Sequence, residues 1–211
     1  YEAKRDPDWM GQEGGVQSCL PELLQRYGLA GWRLRVLIGG PSVLWKRLSL
    51  GTTDRQEAGA LIAGAGLVSE EGRPYDFGAA CPSKGGDGSG DWTVGAYPAE
   101  CIAAICRAAG AAGAVVQSID LLPAFFGRLW PIGTGTLAFQ EAPDGQQHRV
   151  HLRDGLPLAY DVQAAVPTAD GPAFRWLPDG ADETEWQPAG PSEAVRRLMD
   201  AYHVSQPTAM L

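Results

Sequence analysis

The stretch DWTVGAYPAECIAAICRAAGAAGAVVQSIDLLPAFFGRLW, Asp91 to Trp130, decides the fold class. Asp91–Tyr97 alternates enough for a strand, and Pro98 with Glu100 opens a helix. Pro98 to Ala112 is mostly Ala, with Ile102, Ile105 and Ala109 at helical spacing. That pattern predicts a small-residue face able to pack tightly on a sheet. Gly110 and Gly113 loosen and close the helix. Val115 to Leu121 is a short apolar run of the kind buried in a sheet. Leu122 to Trp130 starts a second helix, with Pro123 in its first turn and Phe125, Phe126, Leu129 and Trp130 as packing groups. Strand, helix, strand and helix follow one another directly, so the class is α/β. Trp92–Tyr97 and Val115–Asp120 are expected in one sheet.

Toward the N-terminus, residues 1–15 are polar and rich in Gly and charge, and read as a flexible lead-in. Val16 to Tyr27 places Leu20, Leu23, Leu24 and Tyr27 at helical spacing, and Gly28 stops that helix. Trp32 to Ile38 reads as a strand with Arg33 and Arg35 on its wet face. Gly39-Gly40-Pro41-Ser42 turns the chain, and Val43 to Leu50 returns as the second arm of a hairpin. Arg33, Arg35, Lys46 and Arg47 read as charge defending a solvated sheet edge, with a positive strip as the alternative. Thr52 or Thr53 caps the next helix, which runs to about Val68. Tyr75 to Cys81 is strand-like. The glycine-rich run Pro82 to Gly90 fails the phosphate-loop pattern, because Lys84 precedes the glycines, and reads as a hairpin tip.

After Trp130 the texture changes. Thr136–Glu141, His148–Arg153 and Pro157–Gln163 read as three strands, with turns at Pro143-Asp-Gly145 and Asp154-Gly155. His148 and His151, three apart, point to opposite faces of a strand and read as solvent-facing. Ala164 to Gly190 is rich in Pro, Gly and acid, with Phe174, Trp176 and Trp186 as isolated anchors, and reads as irregular sheet edge or a partner-binding flap. Pro191 to His203 reads as a last helix. The boundaries expected are 16–130 for an α/β subdomain and 131–211 for a sheet-rich C-terminal portion.

Of 211 residues, 45% are hydrophobic and 20% charged, as in an ordinary globular protein. A net charge of −8 argues against a nucleic-acid surface. No run approaches the roughly 20 apolar residues of a membrane helix. The four cysteines lack CxxC spacing and read as reduced, packed residues. No Ser-His-Asp signature, HExxH, Walker motif or dinucleotide fingerprint occurs. No catalytic residue or metal ligand is therefore assigned.

The segments Val94-Gly95-Ala96, Pro98-Ala99-Glu100, Ala109-Gly110 and Ile119-Asp120-Leu121 form a pattern, preceded by LRVLIGGPSVLWKRLSL. It resembles the first subdomain of the actin-like pilus-assembly protein PilM and of the cytoplasmic domain of the secretion protein GspL, over about Leu20 to Gln163. The resemblance implies an actin-like, ribonuclease-H-like α/β fold with a reduced second subdomain. It also implies a non-enzymatic cytoplasmic scaffold at the inner face of the membrane, in a type IV pilus, competence or type II secretion machine. Such a scaffold docks a segment of a membrane-anchored protein and contacts an assembly ATPase.

In actin-like proteins a hairpin opening with Asp-x-Gly and small hydroxyl residues holds nucleotide phosphate. Gly133, Thr134, Gly135 and Thr136 stand there in this chain, and Pro131 stands where the metal-orienting Asp is expected. No cofactor is expected; ATP on those four residues, in an ATPase or phosphotransferase, is the alternative. Asp120 matches the family's strand-ending Asp and reads as a positional marker or a cap for the helix after it. Seven tryptophans are a large load for this length, and Trp9, Trp176 and Trp186 read either as interface anchors or as pins that hold loops to the core. The acidic composition predicts a preference for a basic peptide.

Overall fold

The computed structural model describes residues 12–66, 69–70, 72–129, 133–140, 146–164, 173–182 and 184–189. The Trp9 anchor, the Pro143-Asp-Gly145 turn, the last helix and most of the lead-in lie outside these residues. The chain divides into two units, Tyr1–Leu122 and Pro123–Leu211.

Helix α1 spans Glu13–Arg26 and so starts three residues before Val16. Gly28 ends it at φ 61°, a left-handed conformation that only glycine adopts without cost. Strand β1 (Arg33–Ile38) follows, and the Gly40 carbonyl accepts from the Val43 N–H in the turn beyond it. Strand β2 (Leu44–Leu50) does not return along β1. The hairpin expected there is corrected: β1 pairs in parallel with β6 (Val115–Leu121), while β2 pairs antiparallel with β5 (Gly90–Pro98). The reason is burial. Leu44, Leu48 and Leu50 pack on a core made by helix α2 (Arg55–Gly64), β5 and β4 (Arg73–Lys84), which β1 does not share.

That core is a strand–helix–strand–strand–strand unit with sheet order β2-β5-β4-β3, where β3 is the short strand Ser69–Glu70. Ala58 and Ile62 of α2 are fully buried against Trp92, Val94 and Ala96 of β5. The Trp92 indole N–H donates to the Thr52 carbonyl at 2.9 Å. The cap of α2 is Asp54, whose carboxylate accepts from the Glu57 N–H at 2.8 Å. Thr52 instead donates its hydroxyl to the Glu57 carboxylate at 2.6 Å. The β4–β5 tip is Gly85–Ser89, where the Ser89 hydroxyl and N–H donate to Asp87 and hold its carboxyl below its ordinary value.

Helix α3 (Ala99–Ala111) buries Cys101, Ala104, Ile105, Ala108 and Ala109, a single stripe at helical spacing. Its small residues receive Leu24 of α1 and Leu29, in a cluster closed by Ala114, Trp32, Leu34 and Val116. Ile102 is half-buried, beside that stripe. Trp92–Tyr97 and Val115–Asp120 thus lie in one unit, but in two hydrogen-bonded sheets instead of one.

In the second unit, helix α4 (Leu122–Leu129) leads into an antiparallel sheet. Its strands are β7 (Thr134–Gln140), β8 (Gln146–Arg153), β9 (Leu156–Ala164), β10 (Ala173–Pro178) and β11 (Gln187–Ala189), in the order β11-β10-β7-β8-β9. The run read as irregular edge or flap therefore supplies two strands, one of them beside the central β7. Phe174, Phe139 and His148 sit directly opposite one another on β10, β7 and β8. The Phe rings stack at 4.6 Å, and Phe126 of α4 meets both edge-on at 6.2 and 6.0 Å. Gly127 is required in α4, because a Cβ there would strike the Gly155 carbonyl and come within 2.9 Å of Pro157.

Candidate functional site

Gly133 to Thr136 do not form an open loop. Thr134 begins β7, and Gly135 and Thr136 have partners on both sides, Leu152 and His151 on β8, Pro178 and Leu177 on β10. The Gly133 carbonyl accepts from the Asp154 N–H at 2.9 Å, and the Thr134 carbonyl from the Asp179 N–H at 3.1 Å. Gly135 is buried against the Leu177 carbonyl and the Trp176 ring, with no room for a Cβ. What these residues offer a ligand is therefore side chains, the Thr134 and Thr136 hydroxyls, on the sheet face that also carries His151.

On that face the Thr136 hydroxyl lies 3.4 Å from His151 Nδ1, and an Asp179 carboxylate oxygen lies 3.6 Å from the same nitrogen. The trio has the residue types of a relay without its geometry. A relay needs the acid on one ring nitrogen and the hydroxyl on the other. Here both compete for Nδ1, so Asp179 cannot orient His151 to take the Thr136 proton. Sequence reasoning missed Asp179, which sits at the end of a strand, β10, that composition had disguised.

His148 corrects the reading of solvent-facing histidines. It is 3% exposed and shares a 2.8 Å hydrogen bond through Nδ1 with the Tyr160 hydroxyl. Burial pushes its pKa down to about 4, so it is neutral at neutral pH. His151, by contrast, is half-exposed. Among the described residues no three His, Cys, Asp or Glu side chains converge as metal ligands would. Asp120 lies within β6, opposite Leu37, and accepts from the Ser118 hydroxyl at 3.3 Å.

The sheet face opposite α2 carries Trp45, Arg47 and Ser49 of β2 beside Asp91, Thr93 and Gly95 of β5. Ser49 donates to Asp91 at 2.6 Å, and Arg47 lies 3.6 Å from the same carboxylate. The Thr93 hydroxyl is buried without a hydrogen-bond partner. β2 is an edge strand, and β1 has β6 as its sole strand partner among the described residues. Arg33, Arg35, Lys46 and Arg47 are all exposed on these two edges. Trp176 packs over Gly135, and Trp186 lies under the Arg149 guanidinium at 5.4 Å, so both are engaged by the second unit's own sheet.

No protein-family profile matches the sequence, and no curated protein does. Among solved structures, a chain of a "PilM-PilN type IV pilus biogenesis complex" is similar in fold, with a TM-score of 0.53 at 18% identity. The likeness covers 72% of this chain and 48% of that one, so this chain spans about half of the other's length. Among the described residues no helix is long and apolar enough to cross a membrane. The chain is a mixed α/β protein whose fold is similar to that of a pilus-biogenesis component.

Proposed function

We propose that this chain is a non-enzymatic scaffold of a type IV pilus, competence or type II secretion machine, with a reduced actin-like, ribonuclease-H-like fold. It acts at the cytoplasmic face of the inner membrane. There it docks a segment of a membrane-anchored partner and contacts an assembly ATPase. The observation that carries this reading is the fold similarity to a chain from a two-protein pilus complex. Among the described residues β1 and β2 each have one strand edge without a partner, which supports it, since an extended segment adds to a free edge through main-chain hydrogen bonds. The side-chain set at Gly133–Thr136 favours no reaction, because its one histidine is placed to serve neither neighbour as a base.

The test has two arms. Affinity capture from native membranes, followed by titration with the recovered protein's cytoplasmic tail, should give a saturable one-to-one complex. Thermal-shift titration with ATP and magnesium should leave the melting temperature unchanged, and no phosphate should be released above a buffer control. Recovery of soluble enzymes only, or of nothing, would overturn the scaffold reading, and ATP turnover that vanishes in Thr134→Ala/Thr136→Ala would replace it with an ATPase.

A further inference from the structure

Parallel strands occur almost only in sheets with further neighbours and cover, and a lone pair of strands is marginal in water. Among the described residues the β1–β6 sheet is such a pair. The Trp32 carbonyl accepts from the Val115 N–H at 2.9 Å and so points toward β6. Backbone groups alternate sides along a strand, so those of Leu34 and Val36 point the same way. The N–H and C=O groups of Arg33, Arg35 and Leu37 therefore point outward, along the free edge of β1. Among the described residues, neither guanidinium has an acidic partner. The same two residues thus carry an open ladder and an uncompensated positive charge.

The other edges of the unit are less suited. On β2, Arg47 is already held by Asp91, and Lys46 has contacts of its own. On β6 the register slips between Val116 and Ser118, which breaks the flatness a new strand needs. A second copy of this chain is the wrong occupant for β1. Two such edges paired antiparallel would set arginines against arginines, the standard defence of an edge against its own kind. The charge that bars self-pairing selects the opposite charge in a partner.

We propose that the outer edge of β1 takes up an extended acidic segment of a partner protein as the third strand of this sheet. The main-chain groups of Arg33, Arg35 and Leu37 supply the ladder. The arginine face selects Asp or Glu at alternate positions, and the residues between them lie beside half-buried Leu34 and Val36. The inference rests on the docking reading above and adds the place and the chemistry. It reverses the basic-peptide preference read from net charge, because the local edge is basic in an acidic chain.

The full chain is titrated with a ten-residue peptide alternating Glu and Val between Gly-Ser flanks, and with its Lys-for-Glu counterpart, while NMR follows amide shifts and exchange. The Glu peptide should slow exchange at Arg33, Arg35 and Leu37, bind roughly tenfold tighter than the Lys peptide, and weaken as salt rises. Arg33→Glu/Arg35→Glu should invert the preference, and Arg33→Gln/Arg35→Gln should flatten it, both with the native melting temperature. Equal binding of the two peptides, protection confined to another strand, or an unchanged preference in the charge-reversed protein would overturn the proposal. A membrane partner's tail that binds but leaves the β1 amides exchanging overturns this site and leaves the docking reading standing. Protection of β1 by the Glu peptide with no membrane partner recovered does the reverse.

Discussion

The five-stranded sheet of the second unit and the β1–β6 pair of the first show two extremes of sheet completion. The larger sheet has an apolar face floored by Leu137, Val150 and Leu152, each fully buried, and covered by Phe126 of α4. The β1–β6 pair leaves Val115 64% exposed, and of its apolar residues only Ile38 is buried. One sheet has neighbours and a lid for its central strands. The other has, among the described residues, one unpaired strand edge and a face whose residues are largely exposed. Stability should therefore be concentrated in the aromatic ladder, and tolerance to change in β1 and β6.

The sharpest way to break that contrast is Phe126→Ala. Its ring is 1% exposed and meets Phe139 and Phe174 edge-on, so truncation should cost about 3–5 kcal/mol. Hydrogen exchange of β7 and β8 amides checks this; an unchanged exchange rate would show that α4 does not close the sheet. Next comes His148. Its folded pKa of about 4 lies below the unfolded value of about 6.5, so the unfolded chain binds the proton first. Its contribution is complete above pH 6.5 and is lost as pH falls toward 4, by up to about 3 kcal/mol. The difference in stability between wild type and His148→Gln, followed from pH 7 to pH 4, should carry that slope; a flat difference would place His148 in contact with water.

A smaller effect is expected on the helical side of the first unit. Ala104→Leu forces a branched side chain into the buried stripe at a position 1% exposed and should destabilise by about 1–3 kcal/mol, read by denaturant titration. The last test pairs one substitution in both sheets. Val150→Thr buries a hydroxyl in an apolar layer and should cost about 1–3 kcal/mol. Val115→Thr should stay within about 0.5 kcal/mol, because that side chain already faces water. Equal costs at the two positions would remove the distinction between a closed sheet and an open one.

Periodicity was legible wherever neighbours in sequence are also neighbours in packing. The Ala stripe of α3, the strands β7 to β9 with their Asp154-Gly155 turn, and the Gly85–Ser89 tip all follow from local spacing. So does the net acidity of the chain. The pattern around Val94–Glu100 and Ile119–Leu121 suggests a relation to pilus-assembly proteins, and the fold likeness to a pilus-biogenesis component agrees with it in part.

Tertiary structure decided what depends on partners distant in sequence. β2 leaves β1 for β5 because its leucines are buried there by α2, a choice no local pattern encodes. β10 forms in a Pro- and Gly-rich run because β7 offers an edge and Phe139 offers a ring for Phe174. Gly133–Thr136, loop-like by composition, is drawn into that same strand, which brings Asp179 beside His151. His148 is buried because its ring fills the row opposite Phe139, and a single histidine in a polar-looking strand carries no sign of that. Net charge is a sum over the chain and the shared face of Arg33 and Arg35 follows from strand alternation, but that their strand pairs with β6 and not with β2 is decided by the tertiary structure.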